Sequence, residues 1–268
     1  MNAMKTTNLV LAILGTILGL ATALAVPASA APPPDYKDWG DLLAKYYDPA
    51  KGMNYKALKA NDAKTLDRLR EQMAGVNVDF LPRKDQLAYW INLYNITTVA
   101  VVVEKYPVES IRDISTDPVV RLNVFKKPSA KTKKGAMSLN DVENNQIREG
   151  FKDPRIHFAI NCAAESCPPI RPEPFVGAKI DQQLDDQSRK FLAGPNGVRV
   201  EKKGPTAVVY TTKIMDWFEE DFERWGGGAL GFIKRYGPGD KVRLIEAAGN
   251  QVKLEFNEYS WKLNDTSK

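Results

Sequence analysis

The 268-residue chain carries 38 Lys and Arg against 33 Asp and Glu, a formal net charge of +5, and 43 % of its residues are hydrophobic. So mild a basic excess gives no footing for nucleic acid as a partner, which needs basic residues clustered on one face. A chain this long buries a core without a disulfide scaffold, and two cysteines could not supply one.

Residues 1–30 read as a cleavable secretory signal peptide. Lys5 is their only charge, an apolar stretch runs from Leu9 to Leu24, and Pro27 leads into Ala28-Ser29-Ala30, small residues where a signal peptidase cuts. The stretch falls short of the roughly 20 residues that a membrane span needs. The expectation is a periplasmic or secreted protein with no stable membrane insertion after cleavage, in which residues 31–268 form a single globular domain.

Ala31-Pro32-Pro33-Pro34 reads as a tether. Trp39, Leu42, Leu43 and Tyr46 then repeat at helical spacing, and Leu58 to Met73 holds a second such run. The strongest helix is 83–105, where Leu87, Trp90, Ile91, Tyr94, Thr98, Val101 and Val102 form an apolar stripe and Pro107 stops it. A helix so apolar on most faces belongs at the centre of a fold. Asn92 and Asn95 interrupt it, either as satisfied core amides or as substrate-binding contacts. Lys126, Lys127, Lys131, Lys133 and Lys134 crowd one loop, either a solvated hairpin tip or a docking point for an anionic envelope surface.

Ser138-Leu139-Asn140-Asp141 comes close to a capping box opening a short helix to Arg148. The apolar run from Ile156 to Cys162 predicts a buried strand. A helix over 179–192 is followed by a hairpin, 198–201 and 207–210 about Lys203-Gly204-Pro205. Ile214, Met215, Phe218, Phe222 and Trp225 share one helical face that Gly226-Gly227-Gly228 ends. Segments 242–246 and 252–256 flank Gly249-Asn250 as a last hairpin. The pattern is α+β, a central apolar helix packed on a small, mostly antiparallel sheet.

The one histidine, His157, and the two cysteines, Cys162 and Cys167, fall within eleven residues. A cysteine nucleophile needs a base beside it, and the base needs a third group to orient its ring. On a regular strand His157 and Cys162 face opposite ways, so alternation favours Cys167 as nucleophile, whereas a bulge at Asn161 would favour Cys162. Glu143 is the first choice for the third group. Leu139 and Ile147, four residues either side, set it in an apolar stripe, where a carboxylate must find a partner. Asp141, Asp153 and Glu165 are its rivals. Pro172 and Pro174 forbid a long helix after Cys167, so no helix dipole activates that thiol and His157 must do so. The competing reading joins Cys162 to Cys167 as a structural disulfide in an oxidising compartment. A five-residue cysteine spacing does not suit a metal site, and no metal or other cofactor is expected.

Four stretches resemble domain-of-unknown-function family 547. They are Gln86-Leu87-Ala88-Tyr89-Trp90-Ile91-Asn92-Leu93-Tyr94-Asn95, Ser138 to Glu143, Ile156-His157-Phe158-Ala159-Ile160-Asn161-Cys162 through Ser166-Cys167-Pro168-Pro169, and Met215-Asp216-Trp217-Phe218 with Asp221-Phe222. Tyr259-Ser260-Trp261-Lys262-Leu263-Asn264 resembles that family's ending. Some of its members are similar to papain-like hydrolases with a Cys-Glu-His triad. Carried over, the resemblance implies a papain-like fold and a triad of His157, Glu143 and either Cys162 or Cys167. The expected function is an exported thiol hydrolase acting by acyl transfer on a small peptide-like or ester substrate. The alternative is a non-enzymatic cell-envelope binding module holding a structural Cys162–Cys167 disulfide.

Overall fold

The computed structural model describes residues 31–114 and 123–267, so the signal-peptide expectation for residues 1–30 lies outside the described residues. Three helices build the first core. Helix α1, Lys37–Tyr46, buries Trp39, Leu42, Leu43 and Tyr46, the four positions its spacing marks. Helix α2, Tyr55–Gly75, is capped by the Asn54 side chain, which accepts from Ala57 N at 3.0 Å. Helix α3, Arg83–Lys105, matches its predicted bounds and buries every residue from Leu87 to Val103. It is long and apolar enough to cross a membrane, but its apolar window is 94 % buried inside the protein. It is a core helix, enclosed by α2 and by the segments that follow.

Those segments carry the functional residues. A hairpin of Pro128–Thr132 and Gly135–Ser138 leads into a full capping box: Ser138 Oγ accepts from Asp141 N, and the Asp141 carboxylate accepts from Ser138 N. Lys131 and Lys134 on this hairpin pair with Glu71 and Asp79, which makes the lysine cluster in part a set of surface ion pairs. Past the box the backbone winds as a π-helix over Val142–Arg148 in place of the expected α-helix. Such wide turns are rare and gather at functional sites.

The predicted strand 156–162 is absent. Pro154–Phe158 form a 3-10 helix, capped by Asp153, whose carboxylate accepts from Arg155 N at 3.0 Å. Pro154 at the first helical turn and the Asp153 cap outweigh the apolar run, which by periodicity alone fits a buried strand or a buried helical turn equally well. With the strand gone, alternation no longer separates His157 from Cys162.

Helix Ile180–Ala193 follows, as expected. Arg199–Lys203 and Thr206–Thr211 form the predicted antiparallel hairpin, with Gly204 at its tip in the left-handed region at φ +62°. The second expected hairpin is different. Residues 242–246 lie in a helix, Gly239–Ala247, and only Val252–Phe256 is a strand, paired parallel to Thr206–Thr211. A parallel neighbour requires a crossover, and that helix supplies one. The helix expected after residue 213 breaks at Phe218 into Ile214–Trp217 and Glu219–Trp225. The fold is α+β, with small, mostly antiparallel sheets and a buried apolar helix.

Two hydrophobic clusters result, and the 154–160 segment belongs to both. Ile156, Ala159 and Ile160 pack into the cluster around α3, while Phe158 turns into the second. There its ring meets Phe191, Phe222 and Phe232 at centroid distances of 5.3, 6.3 and 5.2 Å. Phe158→Ala is expected to cost about 3–5 kcal/mol, read as a lowered urea midpoint at unchanged slope. A loss under about 1 kcal/mol would show that this seam does not join the two clusters.

Candidate functional site

Seventeen buried residues in a row leave α3 with polar groups that must be satisfied internally. Asn92 spends its amide on one residue, donating to Phe175 O at 2.7 Å and accepting from Phe175 N at 3.0 Å. Asn95 donates to Ala159 O at 2.9 Å and accepts from Asn161 N at 2.8 Å. Neither amide has a free end for a substrate, so the substrate-binding expectation is corrected: both asparagines position backbone. Asn95 in particular fixes the turn that leaves the 3-10 helix.

Asn161 continues the task. Its side chain donates to Pro168 O at 2.7 Å and accepts from Ala163 N at 2.8 Å, which closes the loop 161–168 on itself. Ala163 sits in the left-handed region at φ +59°, a conformation that costs a non-glycine residue about 1–2 kcal/mol. The return of the chain brings Cys167 back onto Cys162. Both are free cysteines with their sulfurs 2.6 Å apart, Cys162 Sγ donating, and Cys162 N also donates to Cys167 Sγ at 2.9 Å. Tyr259 Oη lies 3.1 Å from Cys162 Sγ.

These sulfurs open into a cavity of about 240 Å³ that His157 and Glu143 also line. Tyr94, Phe218, Tyr259 and Trp261 supply aromatic wall, and Trp217 stands at the rim, 45 % exposed. All four residues singled out for chemistry by scarcity and spacing therefore share one cavity. Their connections differ from those expected. His157 Nε2 bonds Asp221 Oδ2 at 2.7 Å, and its ring stacks on Phe218 with centroids 4.1 Å apart. Asp221 also receives Arg148, Nε to Oδ2 at 2.6 Å and a terminal nitrogen to Oδ1 at 3.2 Å.

Glu143 is not the group that orients His157. Its hydrogen bond is to Tyr94 Oη at 3.4 Å. The π-helix turns Glu143 toward the cavity, while helix Glu219–Trp225 delivers Asp221 to the ring. The rivals are spent elsewhere: Asp141 on its capping box, Asp153 on Arg155, Glu165 on Lys262. The signal for Asp221 was available. Phe218 lies three residues before it and Trp225 four after, so helical spacing sets Asp221 beside an apolar stripe by the same reasoning that picked out Glu143.

Electrostatics follow from these contacts. Burial disfavours charge on Asp221, but its bonds to His157 and Arg148 outweigh that and hold the carboxyl well below the usual carboxylate range. Burial pushes His157 below its ordinary value against the pull of Asp221, so the ring is neutral at pH 7. With Asp221 charged, the ring proton lies on Nε2, and the Nδ1 lone pair remains for other work. Burial raises Glu143 from 4.5 to about 7, with Arg148 and Tyr94 opposing it. Burial, then Cys167, keeps Cys162 a protonated thiol. Tyr94 and Tyr259 are likewise held as hydroxyl donors by burial.

Two measurements check this wiring. His157 is the only histidine, so its resonances in a proton-titrated NMR series need no assignment. Asp221→Asn is expected to lower its pKa further, because the anion that favours imidazolium is gone, and Glu143→Gln to leave it nearly unchanged. The reverse pattern would return the orienting role to Glu143. The second measurement concerns stability. A carboxyl whose pKa folding raises from 4.5 to about 7 contributes stability below about 4.5 that is lost as pH rises through about 7. Glu143→Gln has no charge to bury. It is expected to be more stable than the wild type above pH 7 by about 1–3 kcal/mol, and to lose that advantage by about pH 5. Equal urea midpoints at both pH values would mean that Glu143 is freely solvated.

Comparison with known proteins places part of this site in a family. Residues 78–192 match the family described as "Protein of unknown function, DUF547". No curated protein and no solved structure matches the chain. The matched stretch holds α3, the capping box, Glu143, Arg148, His157 and both cysteines, and it ends before Asp221 and Tyr259. What the comparison shows is a likeness over residues 78–192, where the chain carries the pattern of domain-of-unknown-function family 547.

Proposed function

We propose that the cavity is a thiol acyl-transfer site that hydrolyses a small amide or ester, with Cys167 as nucleophile, His157 as base and Asp221 as the group that orients the base. One observation carries the reading. His157 lines the same cavity as both thiols while its Nε2 is tied to an ion-paired carboxylate. That arrangement fixes the tautomer and leaves Nδ1 as acceptor, as a thiol-activating base requires. Cys167 is favoured over Cys162 because two donors, the backbone N–H and the thiol of Cys162, converge on its sulfur.

In this reading Cys167 gives its proton to His157 Nδ1 and attacks the carbonyl carbon. The imidazolium formed is stabilised by Asp221, whose own charge Arg148 secures, and then protonates the leaving amine or alcohol. Water releases the acid from the thioester with His157 again as base. Tyr94 and Tyr259 offer hydroxyl donors to the oxygen that gains charge. The leader-like residues 1–30 extend the proposal to an exported enzyme, periplasmic or secreted.

The second reading is a cell-envelope binding module stapled by a Cys162–Cys167 disulfide, and the 2.6 Å sulfur separation favours it. Thiol counting on native protein, with p-nitrophenyl acetate as probe substrate, separates the two. The enzyme reading expects two free thiols and selective alkylation that Cys167→Ser abolishes. It also expects Asp221→Asn to lower kcat/KM by about 10²–10⁴-fold. A native protein with no free thiol would sink it in favour of the staple.

A further inference from the structure

We propose that Cys162 and Cys167 are a working dithiol that exchanges with a low-molecular-weight disulfide bound in a second, larger cleft, Cys167 attacking and Cys162 resolving. This chemistry shares Cys167 with acyl transfer but does not depend on it.

Three features carry the proposal. First, the sulfurs are already together. A disulfide bond measures about 2.05 Å, so closing the pair from 2.6 Å needs side-chain movement only. The Asn161 clamps on Pro168 O and Ala163 N hold the loop in this conformation with both thiols free. Second, the two thiols are not equivalent. Cys167 Sγ accepts from Cys162 N and from Cys162 Sγ, so negative charge that forms on Cys167 during attack meets two donors. Burial keeps the thiol proton on Cys162, so a resolving attack needs a base, and Glu143 and His157 both line its cavity.

Third, Cys167 is reached from two sides. A cleft of about 760 Å³ lies beyond it, walled by Tyr47, Gly52, Ala164, Ile170 and Phe191, a volume that suits a peptide-sized ligand. Cys162 lines the aromatic cavity alone, and Cys167 is the one described residue that lines both spaces. Exchange is an in-line displacement at sulfur. A substrate sulfur attached to Cys167 from the cleft can leave into the cleft when Cys162 attacks from the other side.

The steps balance. Cys167, its proton passing to His157 Nδ1, attacks one sulfur of the bound disulfide. The Cys167–substrate S–S bond forms, the substrate S–S bond breaks, and the first thiolate leaves into the cleft and takes a proton from solvent, while His157 returns the proton it holds to solvent. Cys162 then passes its proton to the Glu143 carboxylate and attacks the Cys167 sulfur. The Cys162–Cys167 bond forms, the mixed disulfide breaks, and the second substrate thiolate leaves into the cleft and takes a proton from solvent, while Glu143 gives its proton up to solvent. Two protein thiols lose two electrons, and the small disulfide gains them as two thiols.

The test uses reduced protein mixed with oxidised glutathione near neutral pH, acid-quenched over time, alkylated with a maleimide and weighed intact. The wild type is expected to lose both free thiols through a transient glutathione adduct. Cys162→Ser is expected to accumulate one adduct, on Cys167, and Cys167→Ser to react at least about tenfold more slowly. Glu143→Gln is expected to form the adduct at the wild-type rate and resolve it at least about tenfold more slowly. Wild-type thiols that persist, or an adduct that never resolves, would overturn the proposal. So would equally fast reaction of Cys167→Ser, and unchanged resolution in Glu143→Gln would remove that residue's part. Near-UV circular dichroism checks each variant's fold, and if the serine variants unfold, the wild-type time course decides by itself. Hydrolysis of p-nitrophenyl acetate is read separately. Exchange without hydrolysis removes the acyl-transfer reading and keeps the dithiol, and hydrolysis without exchange does the opposite.

Discussion

The charge chain Arg148–Asp221–His157 is the constraint around which the rest of the site is arranged. It ties the π-helix, the 3-10 turn and helix Glu219–Trp225 to one another at the seam of the two hydrophobic clusters. A carboxylate in so enclosed a place is tolerated only because Arg148 meets it with two donors and His157 with a third. Each partner has a further hold. Arg148 lies over the Phe218 ring at 4.7 Å, and the His157 ring stacks on the same side chain. Removing Asp221 takes the shared partner from both His157 and Arg148 at once, so this carboxylate fixes orientation as well as charge.

Glu143 stands in contrast. It lies on the same π-helix as Arg148, yet the guanidinium bonds Asp221 and the Asn144 side chain, and Glu143 is left with a long bond to Tyr94. A carboxyl held near neutral protonation beside two thiols and an imidazole works against stability at physiological pH. Proteins keep such groups where proton transfer is needed. In the dithiol chemistry its position is that of a proton carrier at the wall, with Asp221 as the fixed charge behind the ring.

The loop between the cysteines is built by backbone satisfaction. Asn95 and Asn161 act in series, each using both ends of its amide on main-chain groups, and together they force the turn that Ala163 completes at positive φ. The thiol pair results from this amide relay. Stacked and tilted rings of Trp217, Tyr259 and Trp261 pack together in the wall of the cavity that holds the pair.

Much was legible in the sequence where the signal is local. The apolar stripe and Pro107 define α3, Ser138 and Asp141 write their own cap, and Gly204 marks its hairpin. The scarcity of histidine and cysteine located the chemistry, since any imidazole or thiol work had to use three residues within one short stretch. What the sequence could not decide depended on neighbours distant along the chain. The run 156–162 reads equally as strand or helical turn until Asp153 and the two clusters claim its sides. Residues 242–246 became a crossover helix because Val252–Phe256 found a parallel partner in Thr206–Thr211. Glu143 and Asp221 are both carboxylates on apolar helix faces, alike in sequence. Only tertiary packing, by carrying Asp221 to His157 across 64 residues and leaving Glu143 facing a cavity, decided which of them orients the imidazole.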